Sequence, residues 1–169
     1  MHKTMAMRRL EQAGLGYEAR EYPATLRDAS RVAAAIGVPS ARMFKTLVVE
    51  RTRGRPLLAL VPADRSLDLR ALASIVNEKK LTLASHHDAE RLTGLQVGGI
   101  SPLAVRHGAF DVVVDISALV GTRDVEGKGP TDDGHDPIWL SGGRRGKSVG
   151  MQAADLVALL EAEVALIAA

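Results

Sequence analysis

The sequence predicts one mixed α/β domain, of the α+β kind, in which helices flank a mixed sheet. Three observations carry that prediction. Two apolar runs, residues 43 to 50 and 57 to 63, are joined by Arg53-Gly54-Arg55-Pro56 and read as a hairpin. Segments with apolar residues at helical spacing fall before, between and after such strands. Their order is neither a regular strand–helix alternation nor a pure meander. No internal repeat or linker divides the 169 residues, so 1–169 is expected to be a single domain.

Residues 3 to 13 have the pattern of a short amphipathic helix that Gly14 and Gly16 stop. Tyr17 to Tyr22 follows as a strand closed by Pro23. Asp28 or Ser30 caps a second helix through Ile36, ended by Gly37 and Pro39. After the hairpin, Asp68 caps a helix in which Leu69, Leu72, Ala73 and Val76 recur at i, i+3, i+4 and i+7. LTLA, residues 81 to 84, is a short strand. Ser85 and Asp88 then make an S-x-x-D box for one or two helical turns that end at Gly94. DVVVD (111 to 115) reads as a buried strand, and IWLS (138 to 141) as another, with SVGMQ as a candidate hairpin partner. Ala154 to Ile167 is expected to close the chain as a helix, with Leu156, Leu159, Leu160 and Val164 on one side.

Composition narrows the function classes. Apolar residues make up 46% and charged residues 25%, as in an ordinary soluble globular protein. Aromatics are only 3%, too few for a platform on which single-stranded nucleic acid stacks. A net charge of +2 implies no broad electrostatic grip on nucleic acid, though it allows a local basic patch. With no cysteine, the chain has no disulfide, thiolate zinc site or cysteine nucleophile. No stretch reaches the ~18 apolar residues of a membrane span, and MHKTMAMRRLEQ lacks the apolar centre of a signal peptide. These features suit the cytoplasm.

Three segments can carry chemistry. Lys45 interrupts an otherwise apolar strand face, so its ammonium either snorkels to the sheet edge or meets a polar ligand in a cavity. Gly98-Gly99-Ile100-Ser101-Pro102 is either an ordinary tight loop or a nest whose backbone N–H groups converge on an anion. It is not a lipase-type elbow, because Leu103 stands where that motif needs a glycine. Ser141-Gly142-Gly143-Arg144-Arg145-Gly146-Lys147-Ser148 nearly matches the nucleotide phosphate loop but lacks its first glycine and a good helix start. The other reading is a basic hairpin turn, whose arginines could touch phosphate. His86 and His87 are adjacent and point apart. His135 lies in the polar, glycine-rich stretch 121 to 137 among Asp132, Asp133 and Asp136, at spacings that match no metal motif.

Taken in order, MFKTLVV, GLQVGGISPL and WLSGGRRG resemble the YbaK/ProX family of trans-acting aminoacyl-tRNA deacylases, from about Glu21 to the C-terminus. The branch that clears Cys-tRNA(Pro) is the most similar. The resemblance implies a curved mixed sheet around a central pocket and hydrolysis of the ester that joins a wrong amino acid to the tRNA 3′ end. Lys45 would hold the substrate's carbonyl or terminal phosphate. Gly98, Gly99 and Ile100 would offer N–H groups to the oxyanion, and Ser101 would shape or polarise the pocket. Tyr22, Phe44, Thr46 and Pro102, with Ser141, Gly142, Gly143, Arg144 and Arg145, would contact the substrate. The implied partners are mischarged tRNA and a prolyl-tRNA synthetase, not DNA or a membrane. The family implies no metal or organic cofactor.

The chain departs from the family pattern in three places. Ala104 replaces a glycine after S-P-L, residues 121 to 137 form a longer connection, and residues 25 to 30 lack an aromatic. The last two bear on which acyl group is accepted. The rival expectation is a non-catalytic module that binds a nucleotide or aminoacyl-adenosine through the SGGRRGKS turn.

Overall fold

Two sheets share the chain, and the expected hairpin at residues 43 to 62 is the centre of the larger one. A computed structural model describes residues 2–120 and 136–169. The elements are α1 (Met5–Gln12), β1 (Glu18–Glu21), α2 (Ala29–Ile36), β2 (Phe44–Glu50) and β3 (Leu57–Pro62). They continue with α3 (Leu69–Ile75), β4 (Thr82–Leu83), α4 (His86–Thr93), β5 (Asp111–Asp115) and α5 (Ser117–Val120). After the segment that is not described come β6 (Ile138–Ser141), β7 (Lys147–Met151), α6 (Ala153–Leu160) and β8 (Glu163–Ala165).

The larger sheet has the order β4-β2-β3-β5-β8. β2 is antiparallel to both β3 and β4, whereas β5 runs parallel to β3 and to β8. The smaller sheet, β1-β7-β6, is antiparallel throughout. β3 is buried along its whole length because both of its faces are covered. Leu58 and Leu60 face the main core with Phe44, Val48, Ile138, Leu140 and the α1 residues Met7 and Leu10. Leu57, Ala59 and Val61 face a second core under α3, with Leu72 and Ile167.

Helix boundaries follow the capping chemistry. Thr4, Asp28, Asp68 and Ser85 each accept a hydrogen bond from a first-turn N–H of the helix that follows. Gly37 and Gly94, at φ 76° and 71°, end α2 and α4 in the left-handed region.

The C-terminus differs from expectation. The last helix stops at Leu160 rather than continuing to Ile167, and Glu163–Ala165 instead pairs in parallel with β5. Glu161 turns the chain at φ 50°, and the Ala162 N–H closes the turn on the Val157 carbonyl. This is a left-handed helix stop made without glycine. Beyond it, Asp115 accepts hydrogen bonds from the Ile167 and Ala168 N–H groups, both at 3.0 Å, and so fixes the chain end to β5.

Of the expected polar loop at 121 to 137, only Asp136 and Pro137 are described, so His135 lies outside the described residues. The buried Arg42 guanidinium donates to the carbonyls of Ser117, Ala118 and Asp136 and pairs with the Asp136 carboxylate at 3.4 Å. One buried cation thereby sets the exit from β5 and the entry to β6.

Candidate active site

β2 has β3 along one side, but β4 reaches its other side only at Val49 and Glu50. The Ala63 N–H donates to the Met43 carbonyl at 2.7 Å, which sets the alternation of the ladder. Lys45 and Leu47 therefore turn their backbone groups to β3, while Phe44, Thr46 and Val48 turn theirs to the opposite edge. The Ala84 N–H meets the Val48 carbonyl there at 2.9 Å. A cavity of about 340 Å³ opens along this edge.

Lys45 is half-buried on the cavity wall, and its ammonium has no ion pair or hydrogen bond among the described residues. Lys45 thus lies both at the open edge of the sheet and on the wall of a cavity. Phe44 and Val48 supply apolar wall beside Ala89, Val97 and Ile100. The Thr46 hydroxyl, also in this wall, is buried and has no partner among the described residues. Burial raises the pKa of the Tyr22 phenol, which stays protonated at the cavity margin.

The loop from Gln96 to Pro102 brings Val97, Gly98 and Ile100 to the same cavity as Lys45. Gly98, at φ 92°, and Ile100 line it, and neither of their N–H groups has an acceptor among the described residues. The Gly99 N–H is committed to the Gln96 carbonyl at 2.7 Å. Ser101 is fully buried, with its hydroxyl accepting from the Leu103 N–H at 3.2 Å, so it holds the turn. Pro102 faces away, into a second cleft with Arg9, Arg106 and Asp111, and its carbonyl accepts from Arg9 at 3.3 Å.

Residues 141 to 147 form the turn of the β6–β7 hairpin. No helix follows directly, and the Lys147 ammonium donates to the His2 carbonyl at 2.7 Å, a geometry that excludes a nucleotide phosphate loop. The basic hairpin turn is the reading that fits. Ser141 lines the cavity and accepts from the Gly143 N–H. Gly142 and Gly143 instead serve packing: a Cβ on Gly142 would lie 3.1 Å from the Lys147 carbonyl oxygen, and one on Gly143 would lie 2.9 Å from Ala104 Cβ. The Ala104 methyl is accommodated because its neighbour has no side chain. A Cβ on Gly99 would lie 3.0 Å from the Arg145 nitrogen, so the two glycine-rich segments pack backbone to backbone. Arg145 donates through Nε to the Val97 carbonyl at 2.7 Å, and Arg144 is exposed.

The structure thus brings together Lys45, Phe44, Thr46, Tyr22, Gly98, Ile100 and Ser141, with Arg145 against the rim, and leaves Ser101, Pro102, Gly142 and Gly143 in supporting places. The sequence reading missed Arg27, Val32 and His86, which also line the cavity. The lack of an aromatic in residues 25 to 30 was the one available signal, and Arg27 sits in that segment. Among the described residues, no group of three or more His, Asp or Glu is placed to hold a metal ion. None of the helices is long and apolar enough to cross a membrane among those residues.

The aminoacyl-tRNA editing domain family matches residues 24–125. A protein of Enterococcus faecalis named as a candidate Cys-tRNA(Pro)/Cys-tRNA(Cys) deacylase, EbsC, is 36% identical over 107 residues, or 62% of this chain. The matched region spans 65% of EbsC. A proline–tRNA ligase of Fervidobacterium nodosum is 32% identical over 85 residues, which cover 50% of this chain and 15% of the ligase. A solved structure described as a candidate trans-editing enzyme for prolyl tRNA synthetase superposes with a TM-score of 0.78 at 26% identity. The superposition covers 100% of this chain and 99% of that one.

Proposed function

The chain belongs to the aminoacyl-tRNA editing domain family, and on that premise we propose that it deacylates mischarged tRNA in trans, with Cys-tRNA(Pro) as its substrate. The observation that carries the proposal is one cavity lined both by an unpaired ammonium, Lys45, and by two residues whose N–H groups have no acceptor among the described residues, Gly98 and Ile100. The scissile ester sits between them. Lys45 anchors the ester end from a position that β2 fixes before reaction. As the acyl carbon becomes tetrahedral, its oxygen gains negative charge and the Gly98 and Ile100 N–H groups donate to it. In comparable sites, one such donor contributes about 3 kcal/mol to the transition state.

The nucleophile is the substrate's own thiol. Its sulfur bonds the acyl carbon, the carbon–oxygen bond to the ribose breaks, and the thiol proton leaves with the ribose oxygen. Water then opens the cyclic thioester. This chemistry asks the protein for proximity and exclusion of solvent rather than for a general base. The apolar wall of Phe44, Val48, Val97 and Ile100 provides both. The similarity to proline–tRNA ligases supports tRNA(Pro) as carrier and a prolyl-tRNA synthetase as partner in the cytoplasm.

The test is amino acid release from Cys-, Ala- and Ser-tRNA(Pro). Fast release from the cysteinyl substrate alone supports the full proposal. Equal release from all three keeps the deacylase and removes the thiol mechanism. The absence of release from all three overturns the proposal.

A further inference from the structure

The stems of Arg27 and Arg145 both lie against Gly98. A Cβ built on Gly98 would lie 3.5 Å from Arg27 Cγ and 3.4 Å from Arg145 Cγ, so two guanidinium stems flank one glycine. Arg145 is oriented by its Nε bond to the Val97 carbonyl, which leaves its terminal N–H donors free to turn outward. Arg27 lines the cavity and is exposed, without an ion pair or hydrogen bond among the described residues. Of the nearby carboxylates, Asp28 lines the same cavity and accepts from the Arg31 N–H as the cap of α2, and Glu90 accepts from the Val97 N–H.

Two cationic side chains rooted on either side of one glycine favour an anion between them. Guanidinium groups present planar forks that match phosphate oxygens. The second cleft is more acidic, since Asp111, Glu161 and Glu163 share it with its arginines, whereas Asp28 is the one carboxylate that lines the first among the described residues. We propose that Arg27, together with Arg145, grips the phosphodiester that precedes the terminal nucleoside of the acylated tRNA. That phosphate is the nearest one to an ester held at Gly98 and Ile100. The assignment rests on the deacylase reading and adds to it a positive clamp that residues 25 to 30 supply in place of an aromatic.

The experiment is equilibrium binding of uncharged tRNA(Pro) across a potassium chloride series, for the wild type, Arg27→Ala and Arg27→Lys. Arg27→Ala should bind about tenfold more weakly, with a plot of log affinity against log salt shallower by about 0.7, the value for one single-strand phosphate neutralised. Arg27→Lys should restore the slope, since it keeps the charge. In deacylation, Arg27→Ala should raise KM and leave kcat close to the wild-type value. A slope that Arg27→Ala leaves unchanged overturns this inference alone. A wild type that neither binds the tRNA nor releases amino acid from it overturns the deacylase reading beneath it.

Discussion

Arg145 donates from Nε to the Val97 carbonyl at 2.7 Å and joins two segments that are 48 residues apart in sequence. One is the β6–β7 turn, and the other is the loop that carries Gly98 and Ile100. The direction of those two N–H groups therefore depends on a hairpin from the other sheet. Replacing Arg145 with alanine should lower kcat as well as raise KM, because it loosens the loop as well as removing a charge. A variant that changes KM alone would show that the hydrogen bond does not position the loop.

Gly99 is the tightest point of the same contact. A Cβ there would come within 3.1 Å of Arg144 Cα and 3.0 Å of the Arg145 nitrogen, and neither backbone can move without opening the hairpin. Gly99→Ala should cost about 1–3 kcal/mol, the usual cost of overpacking. Thermal unfolding measures that cost directly, and deacylation should fall further than stability does.

The Thr46 hydroxyl is buried beside the cavity without a partner among the described residues. Leaving such a group unpaired costs about 1–3 kcal/mol. Thr46→Val keeps the shape and removes that cost, so its Tm should rise by about 2–4 °C for each kcal/mol recovered in a chain of this size. Its kcat/KM should fall if the hydroxyl turns to the substrate on binding. A lowered Tm would mean that the hydroxyl has a bonding partner in the free protein.

Asp115 governs the acid limb of stability. Burial alone would raise its pKa, but hydrogen bonds from Ser117, Ile167 and Ala168 outweigh it and hold the carboxyl below its ordinary value. The unfolded chain then takes up the proton at a higher pH than the folded one. The stabilisation is complete above the unfolded value and is lost as the pH falls through the folded one. Asp115→Asn should lose about 1.5–3 kcal/mol at neutral pH and flatten the stability profile on the acid side. Urea titrations between pH 2 and 7 measure both effects.

The central hairpin was legible in the sequence because β3 is covered on both faces, which writes an unbroken apolar run. Capping residues placed three helix starts for the same local reason, whereas the Thr4 cap of α1 was not read from the sequence. β8 was not legible. Val164 falls on the same helical stripe as Leu156 and Leu160, and the stop before it uses Glu161 where sequence signals point to glycine. The pairing of β1 with β7 is long-range, and no local pattern records it.

At the site, Lys45 and the Gly98–Ile100 segment stood out because a charge and paired glycines are conspicuous in apolar surroundings. Arg27 did not, since exposed polar residues in turns are ordinary, and His86 was weighed only as a metal ligand beside His87 and set aside. Ser101 stood out in the sequence, but its hydroxyl is spent on Leu103.

Single-turnover release of cysteine from Cys-tRNA(Pro), for the wild type beside Lys45→Ala, tests the central claim most directly. Lys45 has no ion pair or hydrogen bond to lose among the described residues, so the variant should fold with an unchanged Tm. The account predicts a rate reduced by about 10²-fold, the scale of removing one electrostatic donor from a transition state. Equal rates in the two proteins would contradict it and place the chemistry away from the β2 edge.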